Sequence, residues 1–532
     1  MTYDPVAPSP FPTPPENARQ FLPITGGTRP GPVLALLDAL RARLDTGTTA
    51  EPGGSERHPP GNPSEEADRP VVVPHADGDG ADRPVLVPHA EGDDGAAVVE
   101  VLRSRLRRDV PPGTAVVLQT SGSTTGTGHL VALTGESLVA SARATEERLA
   151  GPGQWLLAVP AHHVAGLQVL VRSVVAGTTP VVLDTTDGFD PRELASAVAG
   201  MRPDVPGYLS LVPTQLVRVL EAGEDAVAPL RRLAAILVGG AATAPRALVE
   251  ARTAGLCVVT TYGMTETGGG CVYDGLPLPG VRLRLVGEDD RVEIAGPVLA
   301  SGYLDDPAAD ADAFHDDDGV RWLRTFDRGA LVPRPGGARG TDPGDAVVAD
   351  PGHGPATELL DDVAGSSRLR VLGRVDDLIN TGGIKVSPGS VERVLTEHPA
   401  VAEVAVVAVP DPEWGELVTA VVVPAPGLDV PQLHELRALV SARLGGAHAP
   451  RALVLLTSLP LRGPGKVDRR GTALRAAEAL GVPGPAGEPR PAGEPRPAGE
   501  LGPARQPGRV GEPEASGGVL RTERYDRTAP IS

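Results

Sequence analysis

Short apolar runs alternate with helical segments through the first half of the chain. The runs have the length of buried strands, and the segments between them carry apolar residues at helical spacing. Because strands that alternate with helices are typical of βαβ units, this pattern predicts a mainly parallel sheet covered by helices on both faces. The predicted strands are 115–119, 154–159, 180–183, 234–238 and 257–261, and the predicted helices include 136–149, 165–177 and 245–254.

The pattern changes twice further along the chain. Three strand-like segments, 281–285, 291–295 and 321–325, follow one another without helices and predict a small antiparallel sheet or barrel. Residues 374–481 mix strands and helices again. The expected fold is α/β, with a large N-terminal domain of parallel sheets and helices, a small antiparallel β subdomain and a small, mobile α+β C-terminal lid domain. The lid's predicted strands are 401–409, 418–424 and 451–457, and its predicted helices are 388–397 and 430–444.

Four segments rich in proline, glycine and charged residues are predicted to be disordered, because they hold too little apolar surface to offset the entropy of ordering. One contains a near-perfect tandem copy, ADRPVVVPHADGDG followed by ADRPVLVPHAEGDD, and the tail repeats PAGEPR. The large domain is predicted to begin with 18–45 and to continue over 96–373. The disordered segments are 1–17, the insert 46–95, the flexible insert 334–366 and the tail 482–532.

Charge and composition narrow the classes of partner. With 49 basic against 68 acidic side chains the formal charge is −19, which argues against binding to nucleic acid or to an anionic membrane surface. No stretch approaches the roughly 20 apolar residues that span a bilayer, so membrane insertion is not expected. The N-terminus has no basic region followed by an apolar run. Cys257 and Cys271 are too few for a disulfide framework. These features predict a cytoplasmic protein.

The use of lysine is the most informative count. Of the 49 basic side chains only Lys385 and Lys466 are lysine, and the others are arginine. We expect lysine to persist where a compact ammonium on a flexible stem cannot be replaced by a planar guanidinium, although chance survival is the alternative.

Two loops carry candidate nucleotide chemistry. The strand 115–119 runs into Thr120–Gly128, whose hydroxyl and backbone N–H groups suit a polyphosphate; no Gly-Lys-Ser/Thr follows, so it is not a Walker loop. Alone it could equally be a plain turn. The sequence Thr261-Tyr-Gly-Met-Thr-Glu266 follows the strand 257–261 and offers an aromatic face, a hydroxyl and a carboxylate that suits Mg²⁺. We expect both loops at one edge of one sheet.

These loops belong to an ordered set of motifs. TSGST, YGMTE, RTFDRG, GRVDDLINTGGIKV and PLRGPGKVDRR stand in the order and spacing of the adenylate-forming superfamily of acyl-CoA synthetases, luciferases and peptide-synthetase adenylation domains. The resemblance covers roughly residues 98–478. It implies that ATP activates a carboxylic acid as an acyl-adenylate, which then reacts with coenzyme A. It identifies 96–373 as an AMP-binding domain and is compatible with a homodimer.

The resemblance also implies roles for single residues. Thr265 would touch the α-phosphate and Glu266 would hold Mg²⁺. Asp327 and Arg374 would bind the ribose, and Asp376 would be the hinge of the lid. The β- and γ-phosphates would be held by Thr120, Ser121, Gly122, Ser123, Thr124, Thr125 and Gly126, the adenine would be flanked by Gly239, Gly240, Ala241 and Tyr262, and the CoA step would use Gly382, Gly383 and Lys385. Gly263 and Met264 would belong to the same ATP/AMP-binding site.

We expect Lys466 to have a physical role of its own in this reaction. A carboxylate and a triphosphate are both anions, and a mobile cation must offset their repulsion as charge builds on the α-phosphate. Lys466 lies next to the glycine-rich loop 462–465, which suits such movement. In the family the lid then turns about its hinge and presents the loop 382–385 to the CoA thiol.

One position departs from the family pattern. The phosphate loop usually continues Thr-Gly-x-Pro-Lys-Gly, whereas this chain has an extra residue and His129 near the lysine position. A neutral imidazole is a poorer phosphate clamp than an ammonium. Either His129 or an arginine takes over that function, or ATP binds weakly and the chain is a catalytically weak nucleotide-binding relative.

A narrower resemblance concerns the acid. The segments HHVAGLQVLVRS, SLVPTQL and GMTETGGGCVYDG resemble o-succinylbenzoate:CoA ligases of menaquinone synthesis. This implies that His163, Thr214 and Gln215 bind a dicarboxylate and that Gly268, Gly269 and Gly270 leave room for its ring. The two adjacent histidines lack a third ligand at a suitable spacing, which argues against zinc. The alternative is a ligase for another aryl or short-chain acid.

Overall fold

The computed structural model describes residues 21–44, 83–120, 128–333, 359–360, 367–462, 466–482 and 518–525. Within these ranges no helix combines the length and the apolar composition needed to cross a bilayer.

The first part of the chain forms two sheets with helices around them. Its strands are β1 (Phe21–Thr25), β2 (Val85–His89), β3 (Thr114–Gln119), β4 (Leu130–Thr134), β5 (Gln154–Leu157), β6 (Val181–Val182), β7 (Gly207–Leu211), β8 (Ala235–Val238), β9 (Val258–Met264), β10 (Gly269–Tyr273) and β11 (Leu276–Pro277). Its helices are α1 (Pro30–Arg43), α2 (Gly95–Arg105), α3 (Gly135–Arg148), α4 (Val164–Val175), α5 (Pro191–Ala199), α6 (Pro213–Glu221), α7 (Glu224–Val227) and α8 (Pro245–Thr253).

The larger sheet confirms the predicted α/β architecture. Its strand order is β11-β10-β9-β8-β7-β5-β6, and the five strands from β9 to β6 are parallel. Alternate side chains of β5 enter two separate cores, with Trp155 on one face and Leu156 on the other. Helices α1, α3 and α4 contribute to the first core, and α5, α6 and α8 contribute to the second. Both faces of the sheet are therefore covered.

The second sheet has the order β1-β2-β3-β4-β14, where β14 is Gly302–Tyr303. Strands β1, β2 and β3 are parallel, whereas β4 and β14 run antiparallel to their neighbours. Strand β3 leads into the candidate phosphate loop and β9 into the YGMTE motif, so the two motifs belong to different sheets. The expectation that they share one sheet edge is wrong, because β3 pairs with β2 and β4 and thereby belongs to the five-stranded sheet.

The prediction that the whole segment 46–95 is disordered is wrong for residues 83–95. The second copy of the tandem repeat forms β2, whose five residues are all buried between β1 and β3. Val85 and Val87 enter one core and Leu86 another, and α2 follows with Asp94 accepting a hydrogen bond from the Ala96 N–H at 3.0 Å. The average composition of the proline-rich segment 46–95 gave no sign of this short apolar strand. The first copy lies outside the described residues.

An antiparallel subdomain follows, as predicted. Its central strands run in the order β15-β16-β13-β12-β17, and β18 pairs with β16. Strand β17 lies inside the segment 334–366 that was predicted to be a flexible insert, and its pairing with β12 corrects that prediction for these two residues. The elements are β12 (Arg282–Val286), β13 (Arg291–Ala295), α9 (Pro307–Ala313), β15 (Phe314–Asp317), β16 (Val320–Pro333), β17 (Leu359–Leu360) and β18 (Ser367–Arg374).

The C-terminal domain confirms the predicted α+β unit. Its main sheet has the order β20-β19-β22-β23-β26, with β21 paired to β22, and β24 and β25 form a separate hairpin. Helices α10 and α11 pack on one face and α12 on the other. The elements are β19 (Ile379–Thr381), β20 (Ile384–Val386), α10 (Pro388–Leu395), β21 (Val401–Asp411), β22 (Gly415–Pro424), α11 (Leu433–Leu444), β23 (Ala452–Leu456), β24 (Leu461–Arg462), β25 (Lys466–Val467), α12 (Arg469–Ala479) and β26 (Val519–Arg524).

Strand β26 also corrects a prediction, since it lies in the tail 482–532 that was expected to be disordered. It adds to the edge of β23, a strand whose five side chains are buried and whose backbone needs a second partner. Backbone pairing therefore orders this segment, even though its own side chains are mostly exposed.

The packing of β2 gives a test of its place in the sheet. Replacing Leu86, which is 2% exposed, with alanine is expected to lower the free energy of unfolding by about 2–4 kcal/mol, because it leaves a cavity between sheet and helices. The matched control is Leu22→Ala on the adjacent strand, where the side chain is 40% exposed and the cost should stay below about 1 kcal/mol. Urea unfolding followed by circular dichroism measures both, and equal losses would contradict the assignment of β2.

Candidate active site for nucleotide and acid

The candidate phosphate loop connects β3 to β4, and its first and last residues lie next to each other. The Thr120 N–H donates to the His129 carbonyl oxygen at 2.9 Å, and the His129 N–H donates to the Thr120 hydroxyl at 2.8 Å. These bonds close the mouth of the loop between β3 and β4. Six predicted loop residues lie outside the described ranges: Ser121, Gly122, Ser123, Thr124, Thr125 and Gly126.

Both groups that could replace the usual loop lysine lie at this mouth. Arg105 at the end of α2 donates to the Gly128 carbonyl oxygen and lies 2.5 Å from the Asp305 carboxylate. The His129 ring stacks on Tyr303 at 4.4 Å between ring centres, and its Nδ1 is 3.7 Å from Asp305. An arginine and a histidine thus share the base of the loop, and Arg105 was missed by the sequence reasoning.

Tyr303 connects this loop to the YGMTE motif. Its ring stacks on His129, and its hydroxyl donates a 2.7 Å hydrogen bond to Oε1 of Glu266. Burial and the neighbouring Glu266 carboxylate raise the pKa of Tyr303, so the phenol remains protonated and donates. Tyr262, Gly263 and Met264 belong to β9 itself, and Thr265 and Glu266 lie in the 3₁₀ turn 265–267 that follows. The two motifs therefore meet at Tyr303, although they come from different sheets.

The predicted ribose and adenine residues also converge. The Tyr262 hydroxyl donates to Oδ2 of Asp327 at 2.8 Å, and burial, followed by the charge of Asp327, raises the pKa of Tyr262. Asp327 and Arg374 are register partners across β16 and β18. Arg374 makes a two-pronged ion pair with Asp376 at 2.8 and 2.6 Å. The residues predicted for the ribose and for the hinge are thereby in direct contact.

Close backbone approach explains two of the predicted glycines. A Cβ on Gly239 would lie 2.1 Å from the Thr261 hydroxyl oxygen, and a Cβ on Gly263 would lie 2.1 Å from the Gly269 carbonyl oxygen. Gly240 has a φ of +83°, which favours glycine, and Ala241 follows it on the exposed segment after β8. These contacts bring the ends of β8, β9 and β10 together.

The predicted acid-binding residues occupy two helix starts. His163 is the residue before α4, and its ring packs 4.3 Å from that of His162, centre to centre. Thr214 lies at the start of α6. The Gln215 side-chain amide makes two hydrogen bonds within the fold. It accepts one from the Val212 N–H at 3.0 Å and donates one to the Ala158 carbonyl oxygen at 2.9 Å. It therefore joins the ends of β5 and β7.

Two buried polar side chains of α4 were missed. Gln168 is 1% exposed, its Cγ would lie 3.1 Å from a Cβ on Gly269, and its amide has no hydrogen-bond partner among the described residues. Arg172 is 3% exposed, donates to the Tyr273 hydroxyl at 3.1 Å and lies over the Trp155 ring. Within the described ranges no carboxylate pairs with Arg172. The sequence could have shown them, since the two polar residues are four apart on a mostly apolar helix and therefore lie on the same face.

The predicted catalytic loops lie in the C-terminal domain. The Gly382 and Gly383 φ angles are +58° and +83°, as the tight turn between β19 and β20 requires, and Lys385 is exposed on β20. The Lys466 backbone pairs with Arg462 across β24 and β25. The positions 463–465 between them are outside the described residues.

The contact between β9 and β10 can be tested directly. In Gly263→Ala the new methyl group would meet backbone atoms of β10, which cannot rotate away, so the strands must separate at a cost of about 1–3 kcal/mol in unfolding free energy. In the control Gly31→Ala nothing lies within 4 Å of the added Cβ, and the helix should gain up to about 1 kcal/mol. Urea unfolding compares the two, and a neutral Gly263→Ala would contradict the close approach.

Comparison with known proteins places these features in a family. Residues 53–304 match the AMP-binding enzyme domain, and residues 390–466 match the AMP-binding enzyme C-terminal domain. The chain is 42% identical over 378 residues to a probable 2-succinylbenzoate–CoA ligase of Mycobacterium tuberculosis (strain ATCC 25618 / H37Rv), covering 70% of this chain and 87% of the relative. It is 30% identical to a medium/long-chain-fatty-acid–CoA ligase of the same strain, covering 70% of this chain and 63% of that relative.

Among solved structures, the o-succinylbenzoate CoA synthetase of Bacillus subtilis in complex with the acyl-adenylate intermediate OSB-AMP superposes with a TM-score of 0.52 at 24% identity, covering 72% of this chain and 74% of the other. At that identity the likeness concerns the fold. Together with the relatives and the matched domains, it shows that the chain belongs to the family of AMP-binding enzymes.

Proposed function

We propose that the enzyme ligates 2-succinylbenzoate to coenzyme A at the expense of ATP, a step of menaquinone biosynthesis, by way of an acyl-adenylate. The 42% identical relative supports this substrate, and the AMP-binding domains support the chemistry. The observation in this chain that supports the choice of acid is Arg172, a buried cation whose Nε has no hydrogen-bond partner and which pairs with no carboxylate among the described residues. We further propose a cytoplasmic location, where ATP and CoA are found, and a homodimer that light scattering would test.

The acid has two carboxylates, of which only one is activated. The second keeps its charge and cannot enter a protein interior without a cation or strong hydrogen bonds. Arg172 is already buried, and burial lowers its pKa, as expected for a cation that lacks a counter-charge. A bound carboxylate would relieve that cost. Gln168, one helical turn away and beside Gly269, offers an amide donor for the ketone of the same acid.

On the nucleotide side, three described contacts support ATP binding. The Tyr303 hydroxyl orients Glu266 by donating to Oε1, and among the described residues no hydrogen bond to its other carboxylate oxygen is found. Mg²⁺ is commonly held by one or two carboxylates together with substrate phosphates, and Glu266 fits that donor set. The ion would neutralise phosphate charge there. Tyr262 fixes the orientation of Asp327 toward the ribose hydroxyls, and Arg374 lies opposite it across the strand pair.

The reaction then proceeds in two bond exchanges. A carboxylate oxygen attacks the α-phosphorus, the bond to the β-phosphate oxygen breaks, and pyrophosphate leaves. Lys466 offsets the repulsion between the two anions at this stage. In the second exchange the CoA sulfur attacks the acyl carbon, the bond to AMP breaks, and the thiol proton is released. The glycine turn 382–383 and Lys385 serve this second exchange.

The substrate assignment is tested by ATP/pyrophosphate exchange with a panel of acids. Exchange with 2-succinylbenzoate and much weaker exchange with benzoate or octanoate would support it. Exchange with benzoate or octanoate but not with 2-succinylbenzoate would favour the ligase for another acid. The absence of ATP/pyrophosphate exchange with every acid would favour the interpretation as a catalytically weak nucleotide-binding relative.

Arg172→Met should separate acid binding from nucleotide binding. Loss of a charge-assisted contact of about 1.5–3 kcal/mol predicts a KM for 2-succinylbenzoate raised about 10- to 100-fold, with the KM for ATP unchanged. The control Arg232→Met removes an arginine that binds backbone carbonyls of 198, 199 and 201 behind the sheet. Steady-state exchange kinetics measure both variants, and an unchanged acid KM in Arg172→Met would contradict the role of Arg172.

The two lysines of the chain provide a matched pair for the two half-reactions. Lys466→Ala should slow pyrophosphate exchange by about 10²- to 10³-fold, as expected for removal of a group that stabilises transition-state charge, and should leave thioester formation from supplied acyl-adenylate largely intact. Lys385→Ala should show the opposite split. Single-turnover assays of each half-reaction check this, and equal loss of both in Lys466→Ala would contradict the proposed division.

A further inference from the structure

Strand β26 closes one edge of the C-terminal sheet and lies outside residues 390–466 that match the C-terminal family domain. It pairs antiparallel with β23 from Val519 to Arg524, with one register shift at Leu520. The pairing continues beyond the strand, because the Tyr525 N–H donates to the Arg451 carbonyl oxygen at 2.8 Å. A segment additional to the matched domain is therefore built into the sheet of that domain.

Apolar burial does not explain this segment. Val519 and Leu520 are 49% and 56% exposed, so the strand adds little to the core. Its contacts are instead polar and directed at defined partners. Glu523 accepts a 2.9 Å hydrogen bond from the Leu433 N–H at the start of α11, and the Arg437 guanidinium lies 3.5 Å from the centre of the Tyr525 ring.

The last residue of β26 reaches the turn between β21 and β22. Arg524 donates to Oδ2 of Asp411 at 3.1 Å. The other carboxylate oxygen of Asp411 accepts from the Glu413 N–H at 2.9 Å and from the Trp414 N–H at 3.0 Å. One carboxylate thus shapes the turn and binds the C-terminal strand.

That turn supports the glycine hairpin of the thioester step. The Gly382 N–H donates to the Trp414 carbonyl oxygen at 2.9 Å, and the indole ring lies so close that a Cβ on Gly382 would be 2.8 Å from it. Arg451, which holds the Tyr525 N–H, places its guanidinium 3.5 Å from the centre of the same ring. Two routes therefore connect β26 with Trp414, one through Asp411 and one through Arg451.

We propose that Arg524 is a positioning residue for acyl transfer to CoA. Through Asp411 and Trp414 it holds the Gly382–Gly383 turn in the arrangement that receives the thiol, and it has no part in adenylation. This inference rests on the proposed function, in which that turn serves the second half-reaction. It gives strand β26, which lies outside the matched C-terminal domain, a positioning role in acyl transfer.

The test uses full-length Arg524→Ala, Arg524→Lys and the control Arg521→Ala, an exposed arginine of the same strand that pairs with Glu523 instead. For a partly exposed ion pair, acyl transfer from supplied acyl-adenylate to CoA should slow by about three- to fivefold in Arg524→Ala. Pyrophosphate exchange should not change. Arg524→Lys should recover most of the rate, and Arg521→Ala should match the wild type.

Two further measurements separate positioning from general stability. In the double variant Arg524→Ala/Asp411→Asn, acyl transfer should be no slower than in the worse single variant, because both changes interrupt one route. Amide hydrogen exchange should accelerate at Gly382 and Trp414 in Arg524→Ala and stay unchanged at residues 404–407 in the middle of β21, whatever acid the enzyme accepts. An unchanged acyl-transfer rate, or equal slowing of both half-reactions, would overturn the inference; failure of wild-type exchange with every acid would instead overturn the proposed function.

Discussion

The candidate site depends on contacts between its two sheets, the first of which is the hydrogen bond from the Tyr303 hydroxyl to Glu266. Tyr303 lies on β14 in the five-stranded sheet, and Glu266 follows β9 in the seven-stranded sheet. Register within either sheet cannot fix the distance between their loops, so a contact across the boundary is needed. The Ala300 N–H adds a second one by donating to the Glu266 carbonyl oxygen at 2.8 Å. Because burial, followed by the neighbouring carboxylate, raises the pKa of Tyr303, its hydroxyl keeps the proton that it donates to Glu266.

The elements themselves were largely predictable, whereas their assembly was not. Strand β5 and helix α4 follow from apolar runs and helical spacing, which are local properties. Membership of a sheet depends on partners far away in sequence, as when Phe21 pairs with Val85. The same limit applies to the site. Motifs identified Glu266 and Asp327 by type and order, but Tyr303 acquires its role only through its contacts with His129 and Glu266, which no local pattern encodes.

Strands β2 and β26 show a second limit, one of composition. Both lie in segments whose proline, glycine and charged residues predict disorder, yet each pairs along a strand that would otherwise expose backbone groups. For β2 the free energy comes from five buried residues between two neighbours. For β26 it comes from backbone hydrogen bonds and ion pairs, and the side chains remain exposed. The average composition of a segment indicates how much apolar surface that segment can bury. It gives no information about the stabilisation that a partner strand supplies.

The distribution of cations follows the mechanical demands on each position. Positions where the cation keeps fixed contacts are occupied by arginine. Arg374 makes two hydrogen bonds to Asp376, and the buried Arg172 donates one to the Tyr273 hydroxyl. A guanidinium suits such places because its planar fork is preorganised. The two lysines instead lie on short hairpins beside glycines, at 382–385 and 462–466. In the proposed mechanism these hairpins approach one centre in turn, so their cations must act as point charges that tolerate changing angles. All basic side chains of the chain except these two are arginine. The movement required of the two hairpins gives a physical reason why lysine persists at both positions.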